Sequence, residues 1–259
     1  MSKFVDTLKR LSQAAPAPMG FLPSRPSPSR LRIQLLAVVA PENLDHAADF
    51  AAGADAILLP VARQSPSTKR LAQLTDTVTG VPWGGWLKGG HAGVPELVKA
   101  GCDFIIFPAS HTPLTVASDG GSGKILEVEA SLNEGLLRAI NNLPADAVFV
   151  TNDLTEDDSL TWQHLLLFQR FASLLTKPLL VPVPYGVGAE ELKALWEAGV
   201  DCVVMETEGM PPDRLKELRK IIDSLAFPSH SRREKMEPML PRFGSEPRQV
   251  TAEEEEEDE

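Results

Sequence analysis

The chain has 259 residues, 22 of them proline and two cysteine, and a formal net charge of −11. Two thiols cannot build a disulfide scaffold, and no apolar run reaches the ~20 residues that a membrane helix needs. The run Glu253 to Glu259 supplies seven of the acidic charges; without it the net charge is −4, and an acidic body argues against nucleic acid as the main partner. Unpaired thiols and an N-terminus without an apolar signal core predict a cytoplasmic protein.

In chain order, Ser2 to Gln13 reads as an amphipathic helix through Phe4, Val5, Leu8 and Leu11. Ala14 to Ser29 carries Pro16, Pro18, Pro23, Pro26 and Pro28 and reads as a linker. Residues 1–30 are therefore an N-terminal extension, 31–226 a single domain, and 227–259 a disordered acidic tail. Each end reads either as a docking segment, for a partner or for the domain itself, or as a solvated tail.

Within the domain one pattern returns. Ala52-Gly53-Ala54-Asp55, Ala100-Gly101-Cys102-Asp103 and Ala198-Gly199-Val200-Asp201 each precede a short apolar run, and Pro144-Ala145-Asp146 is a weaker copy. Gly ends a helix because only Gly enters the left-handed region without steric cost. The runs that follow begin at Ala56, Phe104, Ala147 and Cys202; they are short and rich in β-branched residues, as strands buried on both faces are. Four more strands are predicted between them, at Leu31 to Val39, Val81 to Leu87, Lys124 to Ala130 and Pro178 to Val183. Helices are predicted at Glu42 to Ala52, Thr161 to Thr176, Glu190 to Ala198 and Pro212 to Leu225, and none between strands four and five. Eight strands in βα alternation fit a (β/α)8 TIM barrel. Pro82 and Pro178 are 96 residues apart and Gly101 and Gly199 are 98 apart, a half-chain repeat for which an open doubly wound sheet gives no reason.

The barrel rule puts chemistry at the C-terminal ends of the strands. There stand Arg63, Gln64 and Ser65; Lys88 and His91; Ser110 and His111; Glu127 and Glu129; Asn152 and Asp153; Tyr185 and Gly186; Glu206 and Glu208. Lys88 ends an apolar strand and precedes two glycines, so its ammonium can face the mouth and bind an anion, polarise a carbonyl or form a Schiff base. Glu127, Glu129, Asp153 and Glu206 could act as acid and base or hold a divalent metal; Asp153 and Glu208 also suit helix capping. Alternation puts Glu127 and Glu129 on one face, and Glu206 and Glu208 on one face, and chooses neither within a pair. His111 could shuttle protons. The loop Ser118 to Lys124 is no phosphate loop, because Ser118 and Ile125 stand where Gly and Ser or Thr are needed and a strand follows it. It could form a lid over the mouth.

Val181 to Gly209 resembles the last two units of the ribulose-phosphate-binding, aldolase-type barrels. That resemblance implies an anion near Tyr185, Gly186 and Gly188, in Pro184-Tyr185-Gly186-Val187-Gly188. Tyr185 replaces one of the glycines of that family, and Glu206 replaces the glycine after strand eight. Val81 to Lys88 resembles the lysine-ended strand of indole-glycerol-phosphate synthase barrels, but Gly89 and Gly90 follow where Asp and Phe are usual. Pro18-Met19-Gly20-Phe21 is similar to the openings of some flavin-dependent barrels. The expected function is a lyase or isomerase acting on a small anionic metabolite, phosphorylated or not. The alternatives are an FMN-dependent oxidoreductase, or a non-catalytic barrel that acts as an interaction scaffold. A homo-oligomer, or a protein partner held through the termini, is compatible with any of these.

Overall fold

A computed structural model describes residues 2–12, 32–61, 68–88, 93–118, 121–151 and 159–227. The Pro-rich linker, most of the acidic tail, Arg63, Gln64, Ser65, His91, Asn152 and Asp153 lie outside the described residues.

Eight parallel strands close into one barrel in sequence order. They are β1 (Gln34–Val38), β2 (Ala56–Val61), β3 (Trp83–Leu87), β4 (Phe104–Pro108), β5 (Gly123–Glu129), β6 (Ala147–Thr151), β7 (Leu179–Pro182) and β8 (Cys202–Glu206). β1 pairs with both β2 and β8, so the ring is complete. The helices are α1 (Lys3–Ser12), α2 (Ala47–Ala51), α3 (Thr68–Thr77), α4 (Val94–Lys99), α5 (Glu134–Ile140), α6 (Trp162–Leu174), α7 (Ala189–Glu197) and α8 (Pro212–Ser224). Alternate residues divide the core in two. Leu36, Leu58, Trp86, Ile106, Ile125, Phe149, Leu180 and Val204 fill the barrel, while Leu35, Ile57, Ile105, Leu126, Val148, Val181 and Val203 pack outward under the helices.

The repeat has a physical cause in its aspartates. Asp55, Asp146 and Asp201 stand at the starts of β2, β6 and β8, at the end of the barrel opposite the mouth. The N–H of Asp55 donates to the Leu35 carbonyl at 2.8 Å, and its carboxylate accepts the Leu35 N–H at 2.9 Å. Asp146 makes the same reciprocal pair with Lys124, and Asp201 with Leu179. Each of these three aspartates thus pins the first or second residue of the odd strand before it.

Asp103, the fourth copy, keeps the backbone half of the pattern by donating to the Trp83 carbonyl. Its carboxylate turns instead to α1. It accepts from Ser2 Oγ at 2.7 Å, Lys3 N at 2.8 Å and Phe4 N at 3.0 Å. The Lys3 and Phe4 N–H groups are orphan donors of a helix N-terminus, where a negative charge is favourable. Phe4, Val5 and Leu8 bury themselves among the barrel-interior residues, and the Phe4 ring lies 4.7 Å from that of Phe104. Small residues make the room. A Cβ on Gly84 would come within 2.3 Å of the Phe104 ring, and one on Gly123 within 2.5 Å of Val5. Of the two sequence readings of the N-terminal helix, docking to the domain is the one seen: α1 closes the bottom of the barrel.

The structure differs from expectation in three places. Gly101 and Gly199 are left-handed, with φ of 87° and 91°, but Gly53 is not. Gly53 is required by a close approach, since a Cβ there would meet the Leu215 backbone at 3.1 Å. Glu42 to Ala52 is a 3-10 segment, Pro41–His46, followed by the short α2, with non-helical geometry at Asn43. Helices α3, α4 and α5 were not among those predicted; α4 and α5 have six and seven residues, too few to display an apolar period. Between β4 and β5 only a 3-10 turn, Leu114–Ser118, is present among the described residues, as expected.

Candidate active site

The mouth is built by the inward positions at the strand ends. Trp86 of β3 is buried and its ring forms a floor, edge-on to Phe149 of β6 at 5.5 Å. One residue beyond β3, Lys88 leans over the mouth. Its ammonium stands 3.8 Å above the Trp86 ring centroid, a cation–π contact, and 3.8 Å from Glu206 Oε1 at the end of β8. Strands β1 and β2 lie between β3 and β8, so this ion pair spans part of the rim. Both side chains are about half exposed, at 49% and 52%, and such a pair contributes only ~0–1 kcal/mol.

Glu127 lies deeper, on β5. Its Oε2 accepts the indole N–H of Trp86 at 2.6 Å. Burial raises its pKa above the ordinary value, and the Trp86 hydrogen bond and the Lys88 charge oppose that rise without cancelling it. Glu129, one inward position further, is exposed and accepts from Ser131 Oγ at 3.2 Å. His111 is exposed, with Nδ1 2.6 Å from Ser110 Oγ. Lys88, Ser110, His111, Glu127, Glu129 and Thr151 line one cavity of about 830 Å³. The structure therefore brings Lys88, Glu127, Glu129 and His111 to one space, with Glu206 reaching it through Lys88. No three His, Cys, Asp or Glu side chains converge in a group fit for a metal among the described residues.

The sequence alone did not single out Trp86 as a site residue. The available signal was alternation: Trp86 stands two residues before Lys88 and so shares its inward face, and an indole pointing into a barrel needs its N–H satisfied. The two cysteines are buried and unpaired. Burial pushes the Cys102 thiol up to about 12 and the Cys202 thiol up as well, so neither offers a thiolate at neutral pH.

Tyr185, Gly186 and Gly188 occupy the β7 loop and do not line the cavity. The Tyr185 hydroxyl donates to the Glu208 carbonyl and so ties the β7 and β8 loops together. Arg214 donates to the Tyr185 carbonyl from Nε and Nη2, at 3.2 and 3.0 Å. The Gly188 N–H donates to the Glu191 carboxylate at 2.7 Å. Pro212 opens α8 without an N–H to offer.

No protein-family profile matches the sequence, and no curated protein does. Solved structures match the fold. The tryptophan synthase of Mycobacterium tuberculosis aligns at 15% identity and a TM-score of 0.56, over 74% of this chain and 93% of that one. Thiamine phosphate pyrophosphorylase from Pyrococcus furiosus aligns at 13% identity and a TM-score of 0.58, over 75% and 97%. The carboxyl transferase domain of Rhizobium etli pyruvate carboxylase aligns at 12% and 0.54, over 74% of this chain and 47% of that one. No helix among the described residues is long and apolar enough to cross a membrane. The chain is a (β/α)8 barrel, similar in fold to these solved structures.

Proposed function

We infer that the barrel mouth is an acid–base site for a lyase or isomerase reaction on a small carbonyl or carboxylate metabolite. One observation carries this reading. Glu127 is partly desolvated, anchored through one oxygen to an indole N–H, and faces an ammonium across a cavity. Desolvation raises a carboxylate's basicity, and a positioned base of this kind removes a proton next to a carbonyl. In this reading Lys88 stabilises the oxyanion that forms, and Glu206, 3.8 Å from its ammonium, keeps it over the mouth. Glu129 and His111 line the same cavity and are the candidates to return the proton to a different atom.

The substrate proposed is anionic but not phosphorylated. The Gly188 N–H is already held by Glu191, Tyr185 is tied to Glu208, and Glu206 and Glu208 add negative charge where a phosphate would approach. Like charge there raises the cost of binding a dianion.

The test is proton exchange in D2O, followed by NMR, over a panel of small 2-oxo acids and other oxo carboxylates. The expected result is deuterium uptake next to the carbonyl of at least one compound, lost with Glu127→Gln. Exchange that survives Glu127→Gln, or no exchange with any compound, overturns the reading.

A further inference from the structure

The cavity at the mouth has two kinds of wall. Lys88, His111, Glu127 and Glu129 line it at the strand ends, with the hydroxyls of Ser110 and Thr151. The rest is apolar. Leu126 and Val128 of β5 line it together with Leu136, Ala139, Ile140 and Leu143 on and just beyond α5. Leu126 and Val128 belong to the outward-packed set of the barrel. A (β/α)8 barrel ordinarily has a helix between β4 and β5, and among the described residues no α-helix stands there.

Helix α5 shows the same division. Leu137 and Ile140 are buried and hold it to the barrel. Glu134 and Arg138 pair with each other at 3.6 Å. Each is two positions from Leu136, which puts both on the other side of the helix. Leu136 and Leu143 belong to neither group. They line the cavity and are 52% and 47% exposed, so a ligand that covers them gains the free energy of apolar burial.

We propose that the mouth binds a carboxylate with an extended apolar substituent, its head at Lys88 and its tail along Leu126, Val128, Leu136 and Leu143. For the carbonyl beside that carboxylate, the proposal rests on the acid–base reading above. Three observations choose this occupant. The volume of about 830 Å³ falls within the ~300–1,000 Å³ of small-molecule sites. Charge is confined to one end, and Lys88 is the only lysine or arginine in the lining, so a single negative group has one place to go. The carboxylates at that end are engaged, Glu127 by the Trp86 indole and Glu129 by the Ser131 hydroxyl. A polyhydroxylated substrate would leave its hydroxyls unpaired along the leucines, at a cost in desolvation.

The test is calorimetric titration of the full chain with straight-chain 2-oxo carboxylates of increasing length and with 1-alkanols of equal length. Binding of the oxo carboxylates should tighten ~3–4-fold per added methylene. The alkanols should bind at least ~10-fold more weakly, because they lack the charged partner of Lys88. Leu136→Gln/Leu143→Gln should flatten the dependence on length and leave the shortest member's affinity unchanged. Both side chains are about half exposed, so the circular dichroism spectrum should stay the same. Glu127→Gln removes the base and keeps the apolar walls, so the dependence should survive in it. Length-dependent binding without deuterium uptake supports the proposed tail site and overturns the acid–base reading. Deuterium uptake on the shortest oxo acid, with no gain in affinity from longer ones, overturns the proposal and leaves that reading standing. A length dependence that the double variant does not alter, alkanols that bind as tightly as carboxylates, or no binding by any member also overturns it.

Discussion

The indole Nε1 of Trp86 donates to Oε2 of Glu127 at 2.6 Å, from β3 to β5 inside the barrel. The bond fixes the carboxylate's direction with a rigid ring, and the same ring carries the Lys88 ammonium on its face. One aromatic residue therefore positions both charged groups of the candidate site. Trp86→Phe keeps a smaller aromatic floor and removes the N–H. That hydrogen bond lowers the Glu127 pKa, so its loss should move the acidic limb of a kcat/KM profile to higher pH. A limb that stays in place would show that Glu127 is not the titrating base.

Lys88→Met removes the ammonium and keeps most of the length of the side chain. Activity on any substrate found by proton exchange should fall ~10²–10³-fold, the usual effect of losing one oxyanion-stabilising group. Lys88→Arg should recover part of it. Equal activity in all three proteins would leave Lys88 as a surface partner of Glu206 and nothing more.

Glu127 also links stability to pH. Its pKa is raised in the folded state, so the folded chain holds this proton at pH values where the unfolded chain has lost it. The contribution is complete below the ordinary carboxylate pKa and is lost as pH rises through the folded pKa. Glu127→Gln cannot ionise, and its carbonyl can still accept the indole N–H. The melting temperature of the variant relative to wild type should therefore rise with pH across that window and then level off. A flat or falling difference in thermal melts at several pH values contradicts this.

At the other end of the barrel, two chemically identical residues should respond differently. Asp201→Ala leaves the Leu179 N–H without its carboxylate inside a closed sheet, a loss of ~1.5–3 kcal/mol. Asp103→Ala removes the acceptor of two α1 N–H groups and of the Ser2 hydroxyl and leaves the backbone bond to Trp83 intact. Hydrogen exchange should show the first change opening β7 and the second opening α1 alone. Phe4→Ala, which empties the space against Phe104, should cost ~3–5 kcal/mol in urea unfolding.

The barrel was legible because its repeat is a backbone device. Gly101 and Gly199 need the left-handed region, and Asp55, Asp146 and Asp201 need a partner strand, so both leave marks in sequence. The same fact explains why the repeat carried no chemistry: its aspartates all sit away from the mouth. Alternation could not choose between Glu127 and Glu129. Depth chose, because Trp86 reaches only the first. Nor could the sequence tell that α1 would close the barrel, since the room for it is made by Gly84 and Gly123, more than seventy residues away from it in the chain. Trp162 and Trp196 look alike in their helices, yet one is 84% exposed and the other buried; only the packing of α6 and α7 separates them.

The measurement that tests the site most directly is the carbon-13 NMR titration of the Glu127 side-chain carboxyl, in the wild type and in Lys88→Met. The arrangement at the mouth predicts a midpoint above the ~4.3 of an unperturbed glutamate, moving higher still when the ammonium is removed. A midpoint at or below that value, unmoved by Lys88→Met, would contradict a desolvated base facing Lys88 and with it the proposed acid–base site.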